Sequence, residues 1–134
     1  MKTVRILLVE DVADNRALAR ELLELAGHTV EEATNGGEVL QRARECRPDV
    51  ILLDMSLPVV DGWEVLRRLR ADPELARLPV IAVTAFAMAG DRERILLAGA
   101  DGYISKPVSV SQFAAQIAAC LIDDEERASA PPCR

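Results

Sequence analysis

The sequence predicts an α/β domain in which a parallel sheet of five strands is covered by helices on both faces. Apolar runs of strand length alternate along the chain with segments of helical period, a pattern typical of βαβ units. The central apolar runs contain no polar residues, as expected for strands buried on both faces. Half of the 134 residues are hydrophobic and only 3% are aromatic, so the core must consist mainly of aliphatic side chains. The length suits one domain.

The strands are predicted at residues 4–9, 29–33, 50–53, 80–83 and 102–105, and each is followed by a predicted helix. The second run is short and alternates between apolar and polar residues, which favours an edge of the sheet. Because crossovers between parallel strands are right-handed, five such units can form a doubly wound sheet, for which the order 2-1-3-4-5 is a common solution. Sheets of this kind bind ligands at the carboxyl ends of their strands.

The first helix is predicted from leucines spaced by four and three residues. Leu18, Leu22 and Leu25 would form its buried face, and Gly27 would end it. The fourth helix is expected to end at Gly99 for the same reason.

Capping residues predict where the second and third helices begin. Asn35 with Glu38, and Asp61 with Glu64, each place a short polar residue three positions before an acid, which is the capping-box spacing. The fifth helix is expected to start at Ser109 or Ser111 and to align apolar residues on one face as far as residue 121.

The charge and the cysteines exclude several classes of function. The formal net charge of -6 argues against nucleic acid or an anionic membrane as a direct partner, since both bind concentrated positive charge. The three cysteines include no CxxC pair, so neither a disulfide framework nor a zinc site is indicated. No apolar run has the length of a signal peptide core or a membrane span. We therefore expect a soluble cytoplasmic protein, with one domain at residues 1–122 and an acidic, proline-containing flexible tail at residues 123–134.

Polar residues occur just after strands one, three, four and five. They are Glu10 and Asp11, then Asp54 and Ser56, then Thr84, and finally Lys106. Because the carboxyl ends of parallel strands meet at one edge, these residues are expected to lie close together. Three carboxylates so close cannot all stay ionised without a cation, and Lys106 alone does not supply enough positive charge.

A magnesium ion is the cation that this set of oxygen ligands predicts, since Mg²⁺ is commonly held by one or two carboxylates together with a phosphate. Asp11 and Asp54 can supply such a pair. One Asp54 oxygen would still be able to attack, and carboxylate nucleophiles form acyl phosphates. Phosphoryl transfer needs mainly positioning and charge neutralisation, to which Lys106 and the Thr84 hydroxyl can contribute. The pattern predicts that Asp54 accepts a phosphoryl group.

The chain resembles the receiver domain of two-component response regulators over about residues 4–122. The resemblance rests on VED at 9–11, LLDMSLPVVDG at 52–62, VTA at 83–85 and YISKP at 103–107. It implies a flavodoxin-like (βα)5 fold, as in CheY-like proteins. Residues 84–107 are also similar to single-domain cell-fate regulators of the DivK type and to the receivers of hybrid kinases.

This resemblance implies a role for each residue of the acidic pocket. Asp54 would be the phosphoacceptor, Glu10 and Asp11 would form the pocket, and the carbonyl of Ser56 would complete the magnesium ligands. Glu10 has a longer side chain than the Asp found in many relatives, so it could reach the ion directly or through water.

The resemblance also implies a conformational switch. Lys106 would contact the phosphoryl group, and its bond to Pro107 is expected to be cis. On phosphorylation, Thr84 would bond to a phosphoryl oxygen and Tyr103 would turn into the space that Thr84 leaves. The surface of helix four, strand five and helix five would then change and be recognised differently by a partner.

Partners follow from the same resemblance. The phosphoryl donor would be a histidine kinase or a histidine phosphotransfer protein, docking near Asn15 and Arg16 of the first helix and on the loop after Lys106. No effector domain is recognised in the sequence, so output is expected through a downstream target protein, and the protein is expected to be a monomer or a weak homodimer. We expect the protein not to be an enzyme with turnover. We expect it to be a phosphoryl acceptor that assists its own phosphorylation and dephosphorylation.

Other functions were weighed against this one. A haloacid-dehalogenase-like phosphatase also forms an aspartyl phosphate, but it needs an acid two residues after its nucleophile, where this chain has Ser56. A phosphate-independent binding module is disfavoured by the complete set of pocket residues. Flavin binding is disfavoured because no Gly/Ser/Thr-rich loop follows the first strand.

Two sets of basic residues are interpreted without a functional role. His28 lies at a turn before the second strand and is interpreted as a solvated histidine. Arg67, Arg68 and Arg70 are interpreted as mostly a solvated face of the third helix.

Overall fold

The computed structural model describes residues 4–57, 60–84 and 91–105, without the side chains of residues 91, 92 and 105. The strands are β1 (Arg5–Val9), β2 (Thr29–Ala33), β3 (Val50–Asp54), β4 (Val80–Thr84) and β5 (Gly102–Ser105). The helices are α1 (Ala13–Leu25), α2 (Val39–Cys46), α3 (Gly62–Ala71) and α4 (Asp91–Leu97). Each strand agrees with its prediction to within one residue. The predicted fifth helix and tail lie outside the described residues, and the domain boundary at residue 122 stays a prediction.

The strands form one parallel sheet of order β2-β1-β3-β4-β5, which confirms the predicted topology and the edge position of β2. The register aligns the carboxyl ends of neighbouring strands. Val9 of β1 lies beside Leu53, Asp54 lies beside Val83, and Thr84 lies beside Ser105. Residues that end or follow these strands therefore share one edge of the sheet.

Two apolar clusters pack on opposite faces of the sheet, because successive side chains of a strand point to opposite sides. Leu7 and Ile51 belong to the cluster that includes α2, α3 and α4. Leu8 and Leu52 belong to the cluster that includes α1. All residues of β3 and β4 are buried, which confirms that these apolar runs are covered on both sides.

The buried face of α1 differs from the predicted one. Leu18 is 41% exposed and Leu25 is 78% exposed, whereas Ala19 and Leu23 are buried against the sheet. Leu22 is partly buried at the margin of this cluster. The helix has two apolar stripes that are offset by one residue, the predicted one and one that contains Ala19 and Leu23. The second stripe, in which Ala19 is small, lies nearer the sheet. Gly27 ends the helix as predicted, with a positive φ of 95°.

The caps of α2 and α3 follow different patterns. The Asp61 carboxylate accepts a hydrogen bond from Glu64 N at 2.9 Å, so the predicted cap of α3 is confirmed. The predicted Asn35 cap is wrong, since its side chain accepts no capping bond and a 3₁₀ turn, Gly36–Glu38, precedes α2. The Glu38 carboxylate instead accepts bonds from the amide and hydroxyl of Thr34.

Arg70 is not a solvated residue, in contrast to the prediction. Its guanidinium donates hydrogen bonds to the carbonyls of Ala76, Leu78 and Gly99 and to the Asp101 carboxylate. The same Asp101 oxygen accepts a bond from Val80 N at 2.9 Å. We call Arg70, Asp101 and the three carbonyls the Arg70 cluster. It joins the end of α3 to the segments that lead into β4 and β5. Arg67 and Arg68 are exposed as expected.

His28 is buried rather than solvated, with 4% of its surface exposed. Its Nδ1 accepts a hydrogen bond from Val4 N at 3.1 Å, which places the ring under the start of β1. Its Nε2 is buried without a hydrogen-bond partner. Burial lowers the pKa of the imidazole, because desolvation disfavours the charged ring.

None of the helices in the described ranges is long and apolar enough to cross a membrane.

Candidate functional site

Three carboxylates meet at the carboxyl edge of the sheet. Glu10 and Asp11 follow β1 and Asp54 ends β3, and one ligand oxygen from each lies within 4.8 Å of the others. Glu10 and Asp54 are buried, with 5% and 4% of their surfaces exposed, and Asp11 is exposed. The structure thus brings together the three acids that the sequence analysis placed at this edge.

The backbone after β3 orients the Asp54 side chain. Asp54 Oδ1 accepts a hydrogen bond from Ser56 N at 2.9 Å. The chain then folds back, so that Gly62 N donates to Met55 O at 3.2 Å. A Cβ atom on Gly62 would lie 2.4 Å from Met55 Cα, so only glycine fits this approach. The loop that carries Asp54 and Ser56 is therefore packed tightly against the start of α3.

The β1–α1 loop, residues 10–12, is held by its own side chains and by α1. Glu10 N donates to Ala33 O at 3.2 Å, and the Glu10 carboxylate accepts a bond from Val12 N at 3.3 Å. Arg16 of α1 donates to the Glu10 carbonyl at 3.0 Å. The sequence predicts Arg16 on a docking surface and does not reveal this contact, because a bond to a main-chain carbonyl leaves no signal in the pattern of residues.

Thr84 and Tyr103 occupy the two strands beyond Asp54. Thr84 is fully buried as the last residue of β4, one position beyond the residue that pairs with Asp54. Tyr103 pairs with Ala82 and is half-buried against the cluster on the side of α2, α3 and α4. Ser56 is exposed. Lys106 and Pro107 lie outside the described residues, as does the expected cis bond.

The set of donors fits a hard divalent cation. Carboxylate oxygens are the ligands that Mg²⁺ prefers, and three of them within 4.8 Å of one another repel unless a cation is present. The carbonyl of Ser56 belongs to a residue whose amide already faces Asp54. Glu10, Asp11, Asp54 and Ser56 are thus compatible with the magnesium ligands that the sequence analysis expected.

Comparisons with known proteins agree with this geometry. The family described as "Response regulator receiver domain" matches residues 6–118. The polar-differentiation response regulator DivK of Brucella anthropi is 50% identical over 118 residues, covering 88% of this chain and 96% of that protein. DivK of Brucella ovis is 48% identical over 121 residues, covering 90% of this chain and 98% of that protein.

Solved structures give the same result. The receiver domain of the sensor histidine kinase PA1611 of Pseudomonas aeruginosa, with a magnesium ion coordinated in its active-site cleft, is 37% identical with a TM-score of 0.76, covering 85% of this chain and 93% of that one. The chemotaxis response regulator CheY4 of Vibrio cholerae is 26% identical with a TM-score of 0.80, covering 87% and 98%. These likenesses confirm the doubly wound fold. The chain belongs to the response regulator receiver family of two-component signal transduction.

Proposed function

We propose that this protein accepts a phosphoryl group on Asp54 from a phosphohistidine, in a reaction that depends on Mg²⁺, and signals by binding a target protein in a phosphorylation-dependent way. The observation that carries the proposal is the meeting of Glu10, Asp11 and Asp54 within 4.8 Å at the carboxyl edge. A backbone amide orients one oxygen of the acceptor. The magnesium-bound PA1611 receiver supports the choice of ion.

In the proposed reaction, a carboxylate oxygen of Asp54 attacks the phosphorus of the donor. A new P–O bond forms, the P–N bond to the donor imidazole breaks, and the electron pair leaves with the imidazole nitrogen, which takes up a proton. When bound, Mg²⁺ would neutralise the clustered carboxylates and the phosphoryl oxygens. Glu10, Asp11, Asp54 and the Ser56 carbonyl would hold it. Lys106 is proposed to contact a further phosphoryl oxygen.

The proposed output is a change in the surface of α4, β5 and the predicted fifth helix. Phosphorylation adds about -1.5 to -2 charges and three strong acceptors. Thr84 is buried beside the acceptor strand and would bond to one of these oxygens, while Tyr103 would turn inward. A phosphoryl group shifts such an equilibrium only by its differential interactions with the two states, so a coupling of about 1–3 kcal/mol is expected.

The proposed donor is a histidine kinase or a histidine phosphotransfer protein, and the proposed target is another protein. Nucleic acid is not proposed as a direct partner. The protein is proposed to act as a monomer or a weak homodimer in the cytoplasm. It is proposed to be an acceptor that assists its own phosphorylation and dephosphorylation rather than an enzyme with turnover. Asn15 is exposed on α1 and is available for docking, whereas Arg16 contacts the β1–α1 loop.

The test combines mass measurement with phosphotransfer. Incubation with a small phosphodonor and Mg²⁺ should raise the intact mass by one phosphoryl group, and chelation of the metal should suppress the gain. Asp54→Asn removes the nucleophilic oxygen and should abolish it. Phosphotransfer profiling against candidate kinases with the same variant identifies the donor. An unchanged mass of the parent, or equal labelling of Asp54→Asn, would reject the proposal and favour a phosphate-independent binding module.

A further inference from the structure

The β1–α1 loop carries two of the three clustered carboxylates, and a side chain from α1 holds its main chain. Arg16 Nη1 lies 3.0 Å from the carbonyl oxygen of Glu10 and 3.5 Å from that of Asp11. Nε of the same guanidinium lies 3.7 Å from Glu32 Oε1 on β2. The Arg16 side chain is only 20% exposed, so it lies along the loop rather than in solvent.

We propose that Arg16 is a positioning residue for the magnesium site. Its guanidinium fixes the main chain of the loop, so that the carboxylates of Glu10 and Asp11 face Asp54 before the ion binds. Arg16 acts through the two carbonyls and does not contact the ion. This proposal rests on the proposed function, since it takes the three carboxylates as the binding site for Mg²⁺.

The strengths of the bonds in the loop favour this role. A hydrogen bond in which the donor or the acceptor is charged is roughly twice as strong as one between neutral groups. The bond from Val12 N to the Glu10 carboxylate is also charge-assisted, but at 3.3 Å it is longer than the 3.0 Å bond from Arg16 to the Glu10 carbonyl and long for an N–H···O bond. Arg16 therefore supplies the stronger restraint. Without it, the loop would have to become ordered when the ion binds, and that ordering lowers affinity.

The positive charge of Arg16 lowers the affinity for Mg²⁺, whereas its hydrogen bonds to the loop raise it. A guanidinium beside a cation site repels the cation, so removal of the charge alone would strengthen the binding of Mg²⁺. Glu32 offsets part of this repulsion, because its carboxylate pairs with Arg16 and also with Arg20 at 3.0 Å. The sign of the change in magnesium affinity therefore distinguishes positioning from repulsion.

Arg16→Met tests the proposal, because it keeps most of the aliphatic stem and removes the donors. Arg20→Met is the matched control. Arg20 lies one turn further along α1, and its bonds within the described residues go to Glu24 and Glu32. We expect Arg16→Met to bind Mg²⁺ about tenfold more weakly than the parent, by analogy with other residues that orient metal ligands. We expect Arg20→Met to stay within about twofold, as for a surface ion pair.

Two measurements report these effects without any phosphorylation. A Mg²⁺ titration followed by amide NMR gives the affinity. Hydrogen exchange of the Val12 amide without the ion reports the order of the loop, and it should be faster in Arg16→Met but not in Arg20→Met. A residue with a merely structural role would change the thermal stability and leave both quantities as in the parent.

The outcomes separate the two proposals. Equal or tighter Mg²⁺ binding by Arg16→Met, with a parent that binds the ion, would overturn the role of Arg16 alone. A parent that does not bind Mg²⁺ would overturn the proposed function and this role with it. If Arg16→Met does not fold, Arg16→Lys decides, since a single nitrogen cannot occupy both the Nη1 position at the loop and the Nε position near Glu32. Its affinity should fall by less than the roughly tenfold loss expected for Arg16→Met, and parent-like affinity would overturn the proposal.

Discussion

Replacement of Arg70 by methionine would remove every hydrogen bond of the Arg70 cluster that the guanidinium donates. The Gly99 carbonyl accepts two of these bonds, at 2.9 Å and 2.6 Å. The carbonyls of Ala76 and Leu78 accept one each, at 3.0 Å and 2.7 Å. Methionine retains much of the apolar stem, so the change removes polar contacts with little loss of packing.

The loss of stability can be worked out from these contacts. A hydrogen bond contributes about 1 kcal/mol net, and more when the donor is charged. The Arg70 side chain is 23% exposed, so water can reach some of the vacated carbonyls, and about 1 kcal/mol for each of the three is reasonable. The ion pair with Asp101 adds up to about 1 kcal/mol at this exposure. We expect Arg70→Met to lower the free energy of unfolding by about 3–4 kcal/mol.

Urea unfolding measures this loss, with the slope m checked to be unchanged. Arg68→Met is the matched control, since Arg68 lies on the same helix, is 46% exposed, and pairs with Glu64 at the surface. Its loss should stay below about 1 kcal/mol. Asp101→Asn should lie between the two variants, because an amide oxygen can still accept the bond from Val80 N. If Arg70→Met loses no more stability than Arg68→Met, the cluster does not hold the fold as argued.

Two further predictions concern the acceptor loop and the buried histidine. Gly62→Ala places a Cβ atom 2.4 Å from Met55 Cα, so it should lower stability by about 1–3 kcal/mol and slow phosphorylation of Asp54. Gly37→Ala is the control, since its Cβ would meet only a side-chain oxygen at 3.2 Å, and it should change neither quantity. If urea unfolding and phosphorylation assays show the same effects for both variants, the reasoning is contradicted. Burial lowers the pKa of His28 in the folded protein, so below about pH 6.5 the unfolded chain binds more protons than the folded one. The free energy of unfolding therefore falls as the pH drops through that value. His28→Gln should lose less stability than the parent between about pH 7 and about pH 5.5, and an equal loss in urea unfolding would show that His28 is not responsible.

The strands and their order could be predicted because the relevant signals are local and unambiguous. Four apolar residues in succession, as at residues 50–53, cannot form a half-solvated strand, and the alternating run at residues 29–33 fits an edge. The same reasoning predicted that Glu10, Asp11 and Asp54 lie together, since the carboxyl ends of neighbouring parallel strands share one edge of the sheet.

Other features depend on packing that the sequence does not encode locally. The buried face of α1 could not be chosen from spacing, because Leu22 and Leu23 belong to two equally apolar stripes. The contacts of Arg70 could not be predicted, because its partners are mainly main-chain carbonyls, which every residue has. The burial of His28 could not be predicted, because a turn position does not reveal that Val4 N donates a hydrogen bond to the ring.

The Arg70 cluster fixes one end of the structure that the switch would move. Val80, where the cluster meets β4, and Thr84, where β4 ends, are separated by four residues, or about 13 Å at the rise of a strand. The Gly99 carbonyl ties the C-terminal side of α4 to the same point. A helix that is held at its C-terminal end can tilt about that end but cannot shift along its axis, so its N-terminal end moves most. Rearrangement near Thr84 would therefore tilt α4 about a fulcrum at Gly99, and the N-terminal turn of that helix would travel furthest.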